Sequence, residues 1–151
     1  MTRSRIAVAC CAAISVLGAL ATASSAADTT LRATMSGSQE KPKGDRDGSA
    51  TAVLTVKANR VCYVITPKKA GTTFAAGHIH AGRKGIAGPV FIGLFTKPKS
   101  LKGGRLSGCS PTVKASDLAK VKAEPESYYV NIHNAKYPAG AVRGQLKKQR
   151  R

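Results

Sequence analysis

The feature that most constrains this chain is a two-residue alternation of apolar and polar side chains, confined to short runs broken by glycine, proline, asparagine and aspartate. Period-two alternation buries one face of an extended strand, whereas a surface helix needs a period of 3.6. Leu31, Ala33 and Met35 alternate in this way, as do Ala52, Leu54 and Val56. Val61-Cys62-Tyr63-Val64-Ile65 is rich in β-formers, and residues 90–95, 128–133 and 141–146 complete the set. Gly44-Asp45-Arg46-Asp47-Gly48, Ala58-Asn59 and Gly103-Gly104 read as turns. Residues 116–123 alone carry a helical pattern, with Ser116 as the expected N-cap, Leu118 and Val121 on one side and Pro125 just beyond. The predicted fold is all-β: a Greek-key-like β-sandwich or partly closed barrel of about seven or eight strands with one short helix.

The start of the chain reads as processing, not fold. Arg3 and Arg5 precede an apolar run over residues 6–20 and a small-residue tract over residues 21–27, the layout of a secretory signal peptide. The run is shorter than the roughly 20 residues of a membrane span. Cleavage is expected within residues 23–27, leaving a β domain over residues 28–146 and a basic C-terminal tail over residues 147–151. The expected location is outside the cell, secreted or wall-associated, with no transmembrane segment in the mature chain. Of four cysteines only Cys62 and Cys109 lie beyond the leader, and an even pair in an oxidising compartment predicts a disulfide.

Charge points towards anionic partners. The chain holds 25 Lys and Arg against 7 Asp and Glu. Without Arg3 and Arg5 the balance is 23 basic to 7 acidic residues, a net +16. Such a field attracts an anionic extracellular polymer or protein, with Lys147, Lys148, Arg150 and Arg151 as candidate contacts; nucleic acid would bind only non-specifically. The competing reading is a solubilising surface, since no aromatic residues interleave the basic ones as stacking platforms.

Catalytic motifs are scarce. The sequence has neither a G-x-S-x-G elbow nor an HExxH pair, and seven acids, mostly in turns, give little material for paired carboxylates. Gly77-His78-Ile79-His80-Ala81-Gly82-Arg83-Lys84 spaces its glycines like a phosphate loop, but Arg83 and Lys84 stand where Lys and Ser or Thr belong. The three histidines nevertheless cluster in two short strands. His78 and His80 share one strand face with Ile79 turned to the core, while Val130 and Ile132 point inward and leave Tyr129, Asn131 and His133 on the outer face. Adjacent strands would bring three imidazoles together, a donor set suited to Cu or Zn with an open position, with Asn131, Asn134 and Arg143 as supporting partners. The alternative is a polar cluster that pins two strands.

Four motifs, in order, carry a family resemblance: residues 31–40, ending Gly37-Ser38-Gln39-Glu40; Gly77-His78-Ile79-His80-Ala81-Gly82 with Gly85-Ile86-Ala87-Gly88-Pro89-Val90; Tyr129-Val130-Asn131-Ile132-His133-Asn134; and Pro138-Ala139-Gly140-Ala141-Val142-Arg143-Gly144-Gln145-Leu146. Together they resemble the CHRD family, the domain repeated in chordin and found singly in exported bacterial proteins. The resemblance implies a β-rich extracellular domain, and no assigned activity for most bacterial members. Two departures stand out. Ala141 replaces an acidic residue common before the Arg-Gly pair, removing a carboxylate partner for Arg143 or a metal, and Lys41-Pro42-Lys43 replaces a more apolar segment. A narrower similarity, a His-x-His pair on a strand, links the chain to copper–zinc superoxide dismutases, which need more histidines than this chain has. The expected function is a secreted CHRD-domain binding module with a basic surface for an anionic polymer or protein, acting by binding and not catalysis. The alternative is a mononuclear Cu/Zn-binding protein built on His78, His80 and His133.

Overall fold

A computed structural model describes residues 27–149; most of the leader, with Cys10 and Cys11, and the tail residues Arg150 and Arg151 lie outside the described residues. The strands are β1 (Thr29–Ser36), β2 (Ser49–Val56), β3 (Val61–Lys68), β4 (Thr73–Phe74), β5 (Ala76–Ala81), β6 (Val90–Phe95), β7 (Lys99–Ser100), β8 (Leu106–Cys109), β9 (Tyr128–His133), β10 (Val142–Gln145) and β11 (Lys147–Lys148). A single helix among the described residues longer than one turn, α1 (Ala115–Ala123), precedes β9.

Eight strands form one antiparallel sheet in the order β6-β5-β9-β10-β1-β2-β3-β8, with β11 extending the β10 side of β1 and β4 pairing β7 separately. The sheet nearly closes on itself: Tyr63 on β3 and Phe95 on β6 approach to 5.6 Å between ring centroids, although their strands lie near opposite ends of the order. Alternation places Leu31, Leu54, Ile65, Ile79, Val130 and Ile132 inside, each inaccessible to solvent. Cys62 and Cys109 are direct cross-strand partners on β3 and β8 and are joined by a disulfide.

Two expectations need correction. The helix begins one residue early, at Ala115, with Lys114 and not Ser116 at the cap and no capping side chain; the Lys114 carbonyl accepts from the N–H groups of Asp117 and Leu118. Leu118 and Val121 do face the core. The basic segment is not wholly a tail, because Arg32 pairs with Lys147 and Leu31 with Lys148, which makes both lysines part of the sheet. Tyr129, Asn131 and His133 do lie on the outer face of β9, and that face is largely covered: Tyr129 and Asn131 are buried. Loops between β1 and β2, β5 and β6, and β9 and β10 fold back over that face: Gly88 N–H donates to Tyr129 Oη, His133 Nδ1–H donates to the Pro138 carbonyl, and Asp45 N–H donates to the Ala141 carbonyl.

Candidate metal centre

The site forms on the covered outer face, where β5, β9 and β10 lie side by side. His78 pairs directly with Asn131, which pairs with Arg143; His80 pairs with Tyr129, which pairs with Gln145. Two rows of polar side chains therefore run across three strands on one face. Register shifts between β5 and β6 occur at Gly77/His78 and Ile79/His80. Such bulges re-aim the side chains beside them.

One ligating nitrogen from each of His78, His80 and His133 lies within 4.8 Å of the others. His78 Nδ1 and His133 Nε2 are 3.1 Å apart. Tetrahedral ligands at 2.0–2.1 Å from a metal are about 3.3–3.4 Å apart, so one pair is already at that spacing and His80 needs a movement of about an ångström.

Backbone carbonyls fix two of the tautomers. His80 Nδ1–H donates to the carbonyl of Gly88 at 2.9 Å, and His133 Nδ1–H donates to the carbonyl of Pro138 at 2.9 Å. Each ring thereby has an unprotonated Nε2; that of His133 accepts a hydrogen bond from His78 Nδ1–H at 3.1 Å, a proton that a shared metal would displace. For His80 that nitrogen is buried and has no hydrogen-bond partner among the described residues. An imidazole oriented by a carbonyl on one nitrogen and open on the other is how proteins present histidine to a metal.

Burial favours the neutral form of two of the rings, His78 and His133. Burial, reinforced by the neighbouring His133 and His80, pushes the His78 pKa down to about 4, against a smaller upward pull from Asn131. Burial also lowers that of His133, partly opposed by the Pro138 carbonyl. Neutral imidazole is the metal-binding form.

The supporting residues divide. Asn131, 2% exposed, sits beside both His78 and Glu40, and its Oδ1 has no partner that satisfies hydrogen-bond geometry among the described residues. The Asn134 side chain makes no hydrogen bond to the imidazoles among the described residues: it donates to the Ala70 carbonyl at 2.9 Å and accepts from the Tyr137 N–H at 2.8 Å, so it shapes the loop that carries Pro138. Arg143 also acts at one remove. Its Nη1 donates to the Ile86 carbonyl at 3.1 Å, tethering the loop that carries Gly88, and its guanidinium lies 4.5 Å from the ring centroid of Tyr129. Tyr129 in turn stacks on His80, with centroids 4.8 Å apart and planes 8° from parallel.

Glu40 is a site residue that motif reading left without a role. It supplies the carboxylate that Ala141 does not, with Oε2 4.0 Å from Arg143 Nε. Burial nevertheless outweighs that cation and raises the Glu40 pKa to about 7. Gly140, at φ +141°, leaves room for the Glu40 carboxylate that a Cβ would take. The signal available in the sequence was the lone acid closing the first motif. The carbonyls of Gly88 and Pro138 leave none, since any residue carries one.

The fold is a small, nearly closed antiparallel β domain with one short helix and a cluster of three imidazoles on a covered sheet face. Its family is specific: the chain belongs to the CHRD domain family, which matches residues 31–146, nearly all of the described structure. No curated protein and no solved structure shows significant similarity to the chain.

Proposed function

We propose that this chain is an exported CHRD-domain module that binds one Cu or Zn ion through His78, His80 and His133. The observation that carries the reading is the His80 ring, held by Gly88 through Nδ1–H, with a buried Nε2 that has no hydrogen-bond partner among the described residues and a ligating nitrogen within 4.8 Å of those of two other imidazoles. An unpaired buried polar nitrogen costs about 1–3 kcal/mol, and a metal ion offsets that cost while completing the arrangement. Three imidazoles leave a coordination position open to water or a ligand. Export is supported by the leader-like residues 1–27, by the disulfide and by family membership. No helix among the described residues is long and apolar enough to cross a membrane.

Calorimetric titration of untagged, chelator-treated protein with Cu²⁺ and Zn²⁺ tests the reading. One ion should bind per chain, and His80→Ala should abolish binding while the far-ultraviolet circular dichroism stays that of the parent. If His80→Ala binds as the parent does, the imidazoles serve only to pin β5 to β9.

A second reading, contact with an anionic extracellular polymer or protein, is supported by Lys147 and Lys148, both exposed and in no ion pair among the described residues.

A further inference from the structure

Arg32 on β1 and Lys147 on β11 are direct cross-strand partners on the outer face of the sheet. Like charges directly opposed destabilise a sheet. Two adjoining cavities open beside this pair, one of about 300 Å³ that includes Arg32, Lys84 and Lys147 in its wall, and one of about 220 Å³ that includes Lys41, Lys84 and Arg143. They share Gln39, Lys84 and Gln145, and no carboxylate lines either. Arg32, Lys41, Lys84 and Lys147 form no ion pair among the described residues.

The cations come from four separate segments: β1, the loop after β1, the loop after β5, and β11. The walls between them are fixed. Gln145 Nε2 lies 2.8 Å from the carbonyl oxygens of Gly82, Glu126 and Tyr128, which holds the loop leading to Lys84 against the sheet. The guanidinium of Arg143 is already engaged by Ile86, Glu40 and Tyr129. Arg32 offers a free guanidinium fork, which pairs bidentately with phosphate as with carboxylate, and the ammonium groups of Lys41, Lys84 and Lys147, arriving from different directions, add point charges suited to the tetrahedrally disposed oxygens of phosphate.

We infer that the groove framed by Arg32, Lys41, Lys84 and Lys147 is a binding site for a phosphate-bearing anion, either a free phosphorylated molecule or a phospholipid headgroup. The inference is independent of the metal and narrows the anionic-partner reading to one place and one chemistry. Tyr129 lines the groove and stacks on His80, so the anion would bind within one side chain of the imidazole cluster.

The test uses chelator-treated mature protein, so that pyrophosphate cannot act by stripping metal, and inorganic pyrophosphate as the probe at physiological ionic strength. Binding is expected, and Arg32→Gln and Lys84→Gln should each weaken it by about tenfold or more, the scale of one lost charge-assisted hydrogen bond. Lys148→Gln, outside both cavities, should change it less than about twofold. Equal losses in all three variants would overturn the groove and leave only a diffuse basic edge, with the anionic-partner reading intact; absence of binding would remove both. Vesicles of phosphatidylglycerol, compared with phosphatidylcholine, separate the sources. Retention on the former that pyrophosphate displaces and Lys84→Gln abolishes assigns a headgroup, whereas pyrophosphate binding without retention assigns a free phosphate. Vesicle retention indifferent to Lys84→Gln and to pyrophosphate would count against the groove.

Discussion

The Nδ1 of His80 lies 2.9 Å from the carbonyl oxygen of Gly88, seven residues beyond the end of its own strand, and this contact sets which nitrogen of the ring faces the other two imidazoles. Gly88 is placed so that a Cβ would overlap the backbone of Ala81. Gly88→Ala should therefore push the loop outward and release the ring. Metal affinity should fall about 10–100-fold, the usual cost of losing an orienting partner, while far-ultraviolet circular dichroism stays that of the parent. An unchanged affinity would show that the carbonyl does not orient His80.

Protonation of His78 offers a check in the metal-free protein. Its pKa, held down to about 4, contrasts with an ordinary value of 6.5. Nitrogen chemical shifts of the ring should report a neutral imidazole at pH 6 and a charged one only near pH 4 and below. A midpoint near 6.5 would mean that the ring is well hydrated.

Glu40 and His78 contribute to stability with opposite signs. The Glu40 carboxyl ionises near 4.5 when unfolded and near 7 when folded, so its contribution is present below pH 4.5 and is lost as pH rises through 7. His78 ionises near 6.5 unfolded and near 4 folded, so its contribution is present above pH 6.5 and is lost as pH falls through 4. Glu40→Gln removes the first effect alone. Denaturant unfolding should show the variant gaining stability relative to the parent as pH rises from 4.5 to 7. A pH-independent difference would contradict the buried, proton-retaining carboxyl.

The disulfide closes a loop with a sequence separation of 47, for which chain entropy predicts about 4 kcal/mol of stabilisation. Replacing both Cys62 and Cys109 with serine should lower the unfolding free energy by about that amount. A loss below about 1 kcal/mol would mean that the β3–β8 pairing itself already restricts the unfolded chain.

The strands that carry the site were legible because alternation is a local property. Residues 90–95 and 128–133 coincide with β6 and β9, and the same-face placement of His78 and His80 follows from the strand period. What alternation does not encode is what covers a face. Tyr129 and Asn131 point outward from the core, yet loops that are far away in sequence bury them, as they bury Glu40 against Arg143 across a separation of about a hundred residues. Asn134 shows a related limit: its proximity to His133 suggests a ring partner, but a turn immediately after β9 commits its amide to Ala70 and Tyr137. Lys147 and Lys148 look like solvated charge by composition, and become sheet because the edge of β1 beside Leu31 and Arg32 is unpaired without them.

X-ray absorption of zinc-loaded, untagged mature protein tests the central claim most directly, because it reads the ligands around the metal itself. After desalting, one zinc per chain should remain, with a first shell of nitrogen and oxygen at about 2.0–2.1 Å and outer-shell scattering from three imidazoles. Zinc lost on desalting, or retained with no imidazole scattering, would contradict a metal centre at His78, His80 and His133.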